Sequence, residues 1–266
     1  MKNFLSMFLA GWGDSSLERG NTGEALEALN QSISFDPNNA LAYFKRGLVR
    51  TELKDYDRAI EDFNQAIKIN PNHVVAYSHR GFVYLQVENY KAAVEDCNRV
   101  LGLNPNDGFT RYNRGLSYLR AGYHKIAIQD FTQVIINYPK LVDAYRYRGF
   151  AYAILEDYSR AMEDYNQVLV LDSSNFYAYY GLGLISIINK DAKSGIELFN
   201  QSLKFAPNFA PAYSYRAMAR YMLGDHRGAI DDLQKAANFF LEQNDMEGYQ
   251  TTLNAIKDCD NRQLTL

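Results

Sequence analysis

The sequence predicts an all-α fold: a right-handed superhelical solenoid of seven antiparallel helical hairpins, closed by a C-terminal capping helix. Three observations predict it. The block over 40–71 recurs at a shift of 34 residues, so that Gly47 is followed by Gly81, Gly115, Gly149 and Gly183 and preceded by Gly13, with Ala217 as the last rung. Ala59 recurs in the same way as Ala25, Ala93, Ala127, Ala161 and Ala229, with Gly195 in the remaining block. Five of the six prolines (Pro37, Pro71, Pro105, Pro139 and Pro207) sit on one ladder. A strict period of this length marks a repeat array whose core lies between neighbouring units. Seven blocks follow: 6–39, 40–73, 74–107, 108–141, 142–175, 176–209 and 210–243.

Numbering positions from 1 within a block, positions 4, 8 and 11 (Tyr43, Gly47 and Arg50 in the second block) share one stripe of a first helix. Position 16 is Asn21, Asp55, Asn89, Asp157, Asp191 or Asp225, an N-cap signal for a second helix. Gly20, Gly122 and Gly224, one residue earlier, supply a stop for the first helix. The second helix carries Ala59, Ile60, Phe63, Ala66 and Ile67 inward and ends where Asp36-Pro37 or Asn70-Pro71 pushes the chain out of the helical region. Small residues at positions 8 and 20 let the paired helices approach, and the large residue at position 24 fills the space beside them. A bulky side chain at Gly47, Gly81, Gly115 or Gly149 would overpack that crossing, at a cost of ~1–3 kcal/mol.

Position 7 (Arg46, Arg80, Arg114, Arg148, Arg216) and position 23 (Asp62, Asp96, Asp130, Asp164, Asp232) are lost together in block 1, as Trp12 and Ala28, and in block 6, as Leu182 and Leu198. This pattern predicts an ion pair within each hairpin, Arg148 with Asp164 for example, of bidentate geometry. After block 7, Asn244-Asp245 opens a last helix over 246–258. Its stripe of Met246, Tyr249, Leu253 and Ile256 can cover the exposed end of the array, and 260–266 is expected to fray.

Tyr43, Gly47, Ala59, Phe63, Ala66 and Pro71, repeated every 34 residues over 6–243, resemble the tetratricopeptide-repeat family. The Tyr-x-x-Arg-Gly usage at Tyr43, Tyr77 and Tyr145 is similar to that of many such proteins of photosynthetic bacteria. The departures are local: Trp12 and Ser16 in block 1, Arg111 at position 4 of block 4, and Ser173 and Leu241 in place of proline. The resemblance implies a non-enzymatic scaffold that binds a peptide or helical segment in a concave groove lined by first helices. The family's carboxylate clamp, with Lys and Asn at positions 5 and 9, has Phe44 and Leu48, Ser78 and Phe82, or Tyr112 and Leu116 in its place, so that mode is not expected.

Composition narrows the remaining classes. The net charge of −3 and a groove stripe that is apolar rather than basic weigh against RNA binding by a helical-repeat array. The start, MKNFLSMFLAGWG, is faintly signal-like. Against cleavage, its register with Gly13, Ala25 and Pro37 makes residues 6–19 the first helix of block 1. An alternative keeps the fold at a membrane surface as an assembly factor for membrane complexes, including photosynthetic ones, with Phe4, Leu5, Phe8, Leu9 and Trp12 in contact. Few basic residues flank that stretch, and packing within block 1 is favoured. The expected setting is cytoplasmic. Cys97 and Cys259 form no disulfide framework, no metal-ligand set is spaced along the chain, and no cofactor or metal is expected. No catalytic residue breaks out of the period.

The groove stripe at positions 2, 5, 9 and 12 broadens around blocks 4 to 6. There Phe109, Tyr112, Leu116, Phe150, Tyr177, Tyr180 and Leu184, with Arg146 among them, are the candidate partner-binding residues.

Overall fold

A computed structural model describes residues 21–263, with side chains to Cys259; these residues form fourteen α-helices. The expected helix over 6–19, and with it the stretch 1–12 and Gly13, lies outside the described residues, as do 264–266. Helix α1 (Thr22–Phe35) is the second helix of block 1. Three hairpins follow in a first unit, 1–138: α2 (Ala40–Glu52) with α3 (Tyr56–Ile69), α4 (Val74–Gln86) with α5 (Tyr90–Leu103), and α6 (Gly108–Arg120) with α7 (His124–Asn137). The second unit, 139–266, holds α8 (Val142–Ile154) with α9 (Tyr158–Leu171), α10 (Phe176–Ile188) with α11 (Ala192–Phe205), and α12 (Ala210–Met222) with α13 (His226–Glu242). It ends with α14 (Met246–Gln263) packed on α13. Within each unit the second helix of one hairpin packs on the first helix of the next, and successive first helices also touch. This is an all-α helical-repeat solenoid.

Position 24 supplies the fully buried rings Phe63, Phe131 and Phe199. A Cβ on Gly47 would lie 2.7 Å from the Phe63 ring, and one on Gly183 would lie 2.6 Å from Phe199. The crossing is therefore closed to any side chain unless the ring moves. Gly81 and Gly149 leave slightly more room, 3.3 Å to Cys97 Sγ and 3.1 Å to Asp164 Cβ. Block 6 adds a reciprocal exchange: Gly181 stands at position 6, where blocks 2 to 5 and 7 carry Lys45, His79, Asn113, Tyr147 and Tyr215. The space it vacates is taken by Tyr165, whose ring would lie 2.6 Å from a Cβ there.

Helix ends follow the local chemistry. Asn21, Asn89, Asp157, Asp191 and Asp225 accept a hydrogen bond from the third backbone N–H of their helices. Asp55, the sixth cap in that series, makes no such bond and instead pairs with Arg58 at 3.3 Å. Position 15 adopts a left-handed conformation in all six described hairpins: Lys54, Glu88, Gly122, Glu156, Lys190 and Gly224 have φ between 59° and 84°. Only two of these are the glycines that announce a stop; the other four are held left-handed by the turn. The second helices stop at position 30, even in block 5, where Asp172 accepts from the Ser174 N–H and hydroxyl (3.0 and 2.7 Å) in place of a proline break. Block 7 has neither device, and α13 runs 17 residues against 14 in its counterparts.

The Arg–Asp pairs are bidentate. Arg148 donates from Nε and Nη2 to Asp164 at 2.9 and 2.7 Å, with the side chains 17% and 6% exposed. The same fork joins Arg46 to Asp62, Arg80 to Asp96, Arg114 to Asp130 and Arg216 to Asp232. Asp62 and Asp232 receive a second guanidinium, from Arg50 at 2.7 Å and Arg220 at 3.1 Å. Burial outweighs the single arginine at Asp96 and Asp164 and raises both carboxyls above the ordinary range. The remaining nitrogen, Nη1, reaches backwards to an asparagine at position 25 of the preceding repeat. It bonds Asn30 from Arg46 (2.7 Å), Asn64 from Arg80 (2.5 Å), Asn98 from Arg114 (2.7 Å) and Asn200 from Arg216 (2.6 Å). One side chain thus ties its own hairpin and straps it to its neighbour.

The final helix corrects two expectations. It continues to Gln263, past residue 258, since nothing in 259–263 is a glycine or proline that would stop it. Its packed face is also rotated: Thr252 is buried, Ala255, Ile256 and Cys259 join the cluster of Ala217, Ala229 and Leu233, and Met246 is exposed. Small residues on this face let the helix approach α13, and that closeness decides the face.

Candidate functional site

The eight candidate residues divide between the two units. In the first unit, Phe109, Tyr112 and Leu116 occupy one face of α6 at spacings of three and four. Phe109 is 48% exposed and rests against His79 and Phe82, with ring centroids 5.8 and 6.0 Å away. Burial among Phe44, Phe63 and Phe109 lowers the His79 pKa below its ordinary value, which favours the uncharged imidazole. Tyr112 is half-buried edge-on to Phe131, at 6.0 Å, and Leu116 is half-buried.

In the second unit, Arg146 and Phe150 lie one helical turn apart on α8, and Tyr177, Tyr180 and Leu184 share a face of α10. The Arg146 guanidinium stacks over two rings, Tyr147 at 4.0 Å and Tyr177 at 4.9 Å, which links α8 to α10. It also donates from Nε and Nη2 to Asp143 Oδ1 at 3.0 and 2.8 Å. An exposed carboxylate thus already sits at the place expected for an acidic group of a ligand. Around Tyr177 an aromatic cluster is assembled: Phe176 lies 4.0 Å from Tyr177 and 5.1 Å from Phe209, and Phe209 lies 5.1 Å from Tyr180. Tyr177 and Phe150 keep 42% and 49% of their surface exposed. Tyr180 is a wall rather than a tip: it packs on Phe199, Phe209 and Tyr215, and burial raises its hydroxyl pKa. Leu184 is half-buried against the core around Phe199.

Four members of this patch are absent from the stripe at positions 2, 5, 9 and 12. Tyr147 and Tyr215 sit at position 6, from which Tyr215 meets Tyr180 and Phe199 of the preceding repeat, and Phe176 sits at position 1. Phe209 occupies the site where Asn39, His73, Asp107 and Asn175 cap the first helices of the repeats that follow them. Helix α12 consequently has no side-chain cap, with Pro211 in its first turn. A lost cap costs about 1 kcal/mol. An aromatic residue on the cap ladder is the signal that could have found it.

Among the described residues, no helix is long and apolar enough to cross a membrane. The family model for the tetratricopeptide repeat matches residues 40–73 and 74–107, and a second TPR-repeat model matches 13–53 and 149–185. No curated protein matches the sequence. A solved tetratricopeptide repeat protein from Parabacteroides merdae superposes with a TM-score of 0.74 at 17% identity, over 93% of this chain and 98% of that one. MamA from Desulfovibrio magneticus RS-1, residue 41 to its end, matches at 25% identity and TM-score 0.61, over 64% of this chain and 96% of its own. YrrB, described as a TPR protein with an unusual peptide-binding site, matches at 22% identity and TM-score 0.59, over 64% of this chain and 88% of its own. The recurrent hairpins, the glycine-on-ring crossings and these matches lead to one conclusion: the chain belongs to the tetratricopeptide-repeat family of protein-interaction scaffolds.

Proposed function

We propose that the chain is a non-enzymatic scaffold whose second unit holds a peptide or helical segment of a protein partner on the patch formed by Arg146, Phe150, Tyr177 and the rings behind them. The observation that carries this is the exposed aromatic surface around Tyr177, built partly by placing Phe209 at a helix cap. Stability alone favours a capping residue at 209 and polar residues at 150 and 177. Exposed aromatic rings beside an arginine are the surface that binding hot spots use. The partner is apolar or amphipathic, and its acidic group displaces Asp143 from Arg146. A carboxylate clamp plays no part, because positions 5 and 9 of these repeats, Arg146 with Phe150 and Tyr180 with Leu184, lack the Lys and Asn that it needs. Phe109, Tyr112 and Leu116 offer a smaller surface of the same kind in the first unit.

The test replaces Tyr177 with the photo-crosslinking residue benzoylphenylalanine, identifies the captured protein from native lysate, and maps the crosslinked segment. That segment should be apolar with an acidic residue. Tyr177→Ala with Phe150→Ala should lose at least tenfold in affinity for it, with unchanged helical circular dichroism. Crosslinks that map the partner to the outer face of the second helices, or a double variant that binds normally, would overturn the proposal.

A further inference from the structure

The second unit contains a second concavity. A cleft of about 650 Å³ opens between α12 and α14, within the range of about 300–1,000 Å³ common for ligand sites. One wall is the groove stripe of block 7, with Pro211, Ser214, Met218 and Tyr221, and Tyr215 lines it beside them; Leu233 and Phe240 line it from α13. The opposite wall, on α14, presents small side chains, Gly248, Thr251, Thr252 and Ala255, along the helix between Glu247 and Asp258. This contrast is why the cleft stays open. Met218 is 48% exposed along it. The cleft is also unequal in charge: Asp245, Glu247 and Asp258 line it, and among the described residues no lysine, arginine or histidine does. Asp245 is partly committed, since its Oδ1 accepts the Gly248 N–H at 2.8 Å; Glu247 and Asp258 are exposed on α14.

We propose that this cleft is a second docking site, which takes a basic apolar peptide segment of a protein partner: a large aliphatic or aromatic side chain enters between Met218 and Ala255, and a neighbouring lysine or arginine pairs with Glu247 and Asp258. The charge complementarity selects this occupant. An acidic segment would bring like charges together in a partly desolvated space, and a neutral apolar one would leave the three carboxylates without a counter-charge. The site requires a cation where the patch at Arg146 requires an anion, so the two surfaces select opposite ligands.

The cleft carries its own reporter. Cys259 lines it and is half-exposed, whereas Cys97 is buried and its thiol is pushed up to about 12 by burial. The experiment selects random nonapeptides displayed on phage against the intact chain, with counter-selection on Glu247→Lys with Asp258→Lys. Each winner is then synthesised and scored for its ability to slow alkylation of Cys259 by iodoacetamide. The expected winners place Leu, Ile, Met or Phe beside Lys or Arg, slow the Cys259 reaction at least fivefold, and lose at least tenfold in affinity on the charge-reversed protein and on Met218→Ser. They should bind Tyr177→Ala with Phe150→Ala normally, which separates this site from the patch. Winners without a charge preference, acidic winners, or no winner that depends on Glu247 and Asp258 would overturn it. So would Cys259 already protected in the unliganded chain by a dimer seen in sedimentation, since the occupant would then be a second copy.

Discussion

Removing Asp164 should do far more damage than removing the whole pair to which it belongs. Asp164 is almost fully buried, and Arg148, with 17% of its side chain exposed, donates both its fork bonds to it. In Asp164→Leu the guanidinium loses that carboxylate, and arginine cannot shed its charge to adapt. Breaking a buried pair from one side costs ~3–5 kcal/mol. The exposure of Arg148 discounts this to the lower end, about 3 kcal/mol, a change of about 100-fold in the local opening equilibrium. Arg148→Leu with Asp164→Leu reproduces what block 6 carries as Leu182 and Leu198, where Leu182 is buried and Leu198 packs on the core. Apolar replacement of a buried pair is often close to neutral, so the double variant should cost about 1 kcal/mol. Hydrogen exchange by mass spectrometry over α8 and α9 measures this locally, without assuming two-state unfolding of a repeat array. Exchange should accelerate about 100-fold in the single variant and less than tenfold in the double. A double variant that exchanges as fast as the single, or a single variant within threefold of the parent, would refute the argument.

Glu156→Gly should stabilise the chain, because a non-glycine residue held at φ 60° is relieved at a cost only to the unfolded state; the net gain is a few tenths to ~1 kcal/mol, read as a raised thermal midpoint. Gly183→Ala should destabilise by ~1–3 kcal/mol through the Phe199 ring, and Gly183→Ala with Phe199→Leu should recover part of the loss in a denaturant titration. Hydrogen bonds from the Ser194 hydroxyl and N–H hold Asp191 below the ordinary carboxylate range, so its contribution is present above the unfolded value near 4 and lost as the pH falls through the folded one. Asp191→Asn keeps a cap acceptor but does not titrate, so its stability gap from the parent should narrow between pH 6 and pH 3. Under native conditions iodoacetamide should modify Cys259 well before Cys97, as counted by intact mass.

The features that the period encodes were legible in the sequence, because each is a contact inside one block. Gly47 meets Phe63 sixteen residues on, and the joint loss of arginine and aspartate in block 6 reveals Arg148–Asp164 as a contact. What was hidden depends on the next block or on strain. The asparagines at position 25 look like ordinary outward residues until the following repeat is set beside them. Lys54, Glu88, Glu156 and Lys190 do not look left-handed, because the turn imposes that conformation on them. The extent to which Tyr180 is closed in does not show in the stripe at positions 2, 5, 9 and 12, because Phe199 and Tyr215 pack on it from other elements. Met246 read as part of a seam because hydrophobicity was weighed above size, whereas Gly248, Thr252 and Ala255 allow the close contact.

The backward reach of the position-7 arginine bears on how such an array can change length. Its donor belongs to one copy and its asparagine acceptor to the copy before, so every joint within a unit is written as the same half-sentence begun by one repeat and finished by the next. A gene that gains or drops one 34-residue copy by unequal crossing-over restores a complete Arg–Asn joint wherever the new junction sets an asparagine-bearing block before an arginine-bearing one, with no compensating mutation. The exceptions are block 6, whose Leu182 stands where the arginine would be, and blocks 4 and 7, whose Thr132 and Gln234 stand where the asparagine would be. A copy of block 6 inserted elsewhere would join by apolar packing alone and leave the preceding asparagine facing water. Lineages that expand or contract this array should therefore keep block 6 in single copy and vary the number of its strapped neighbours.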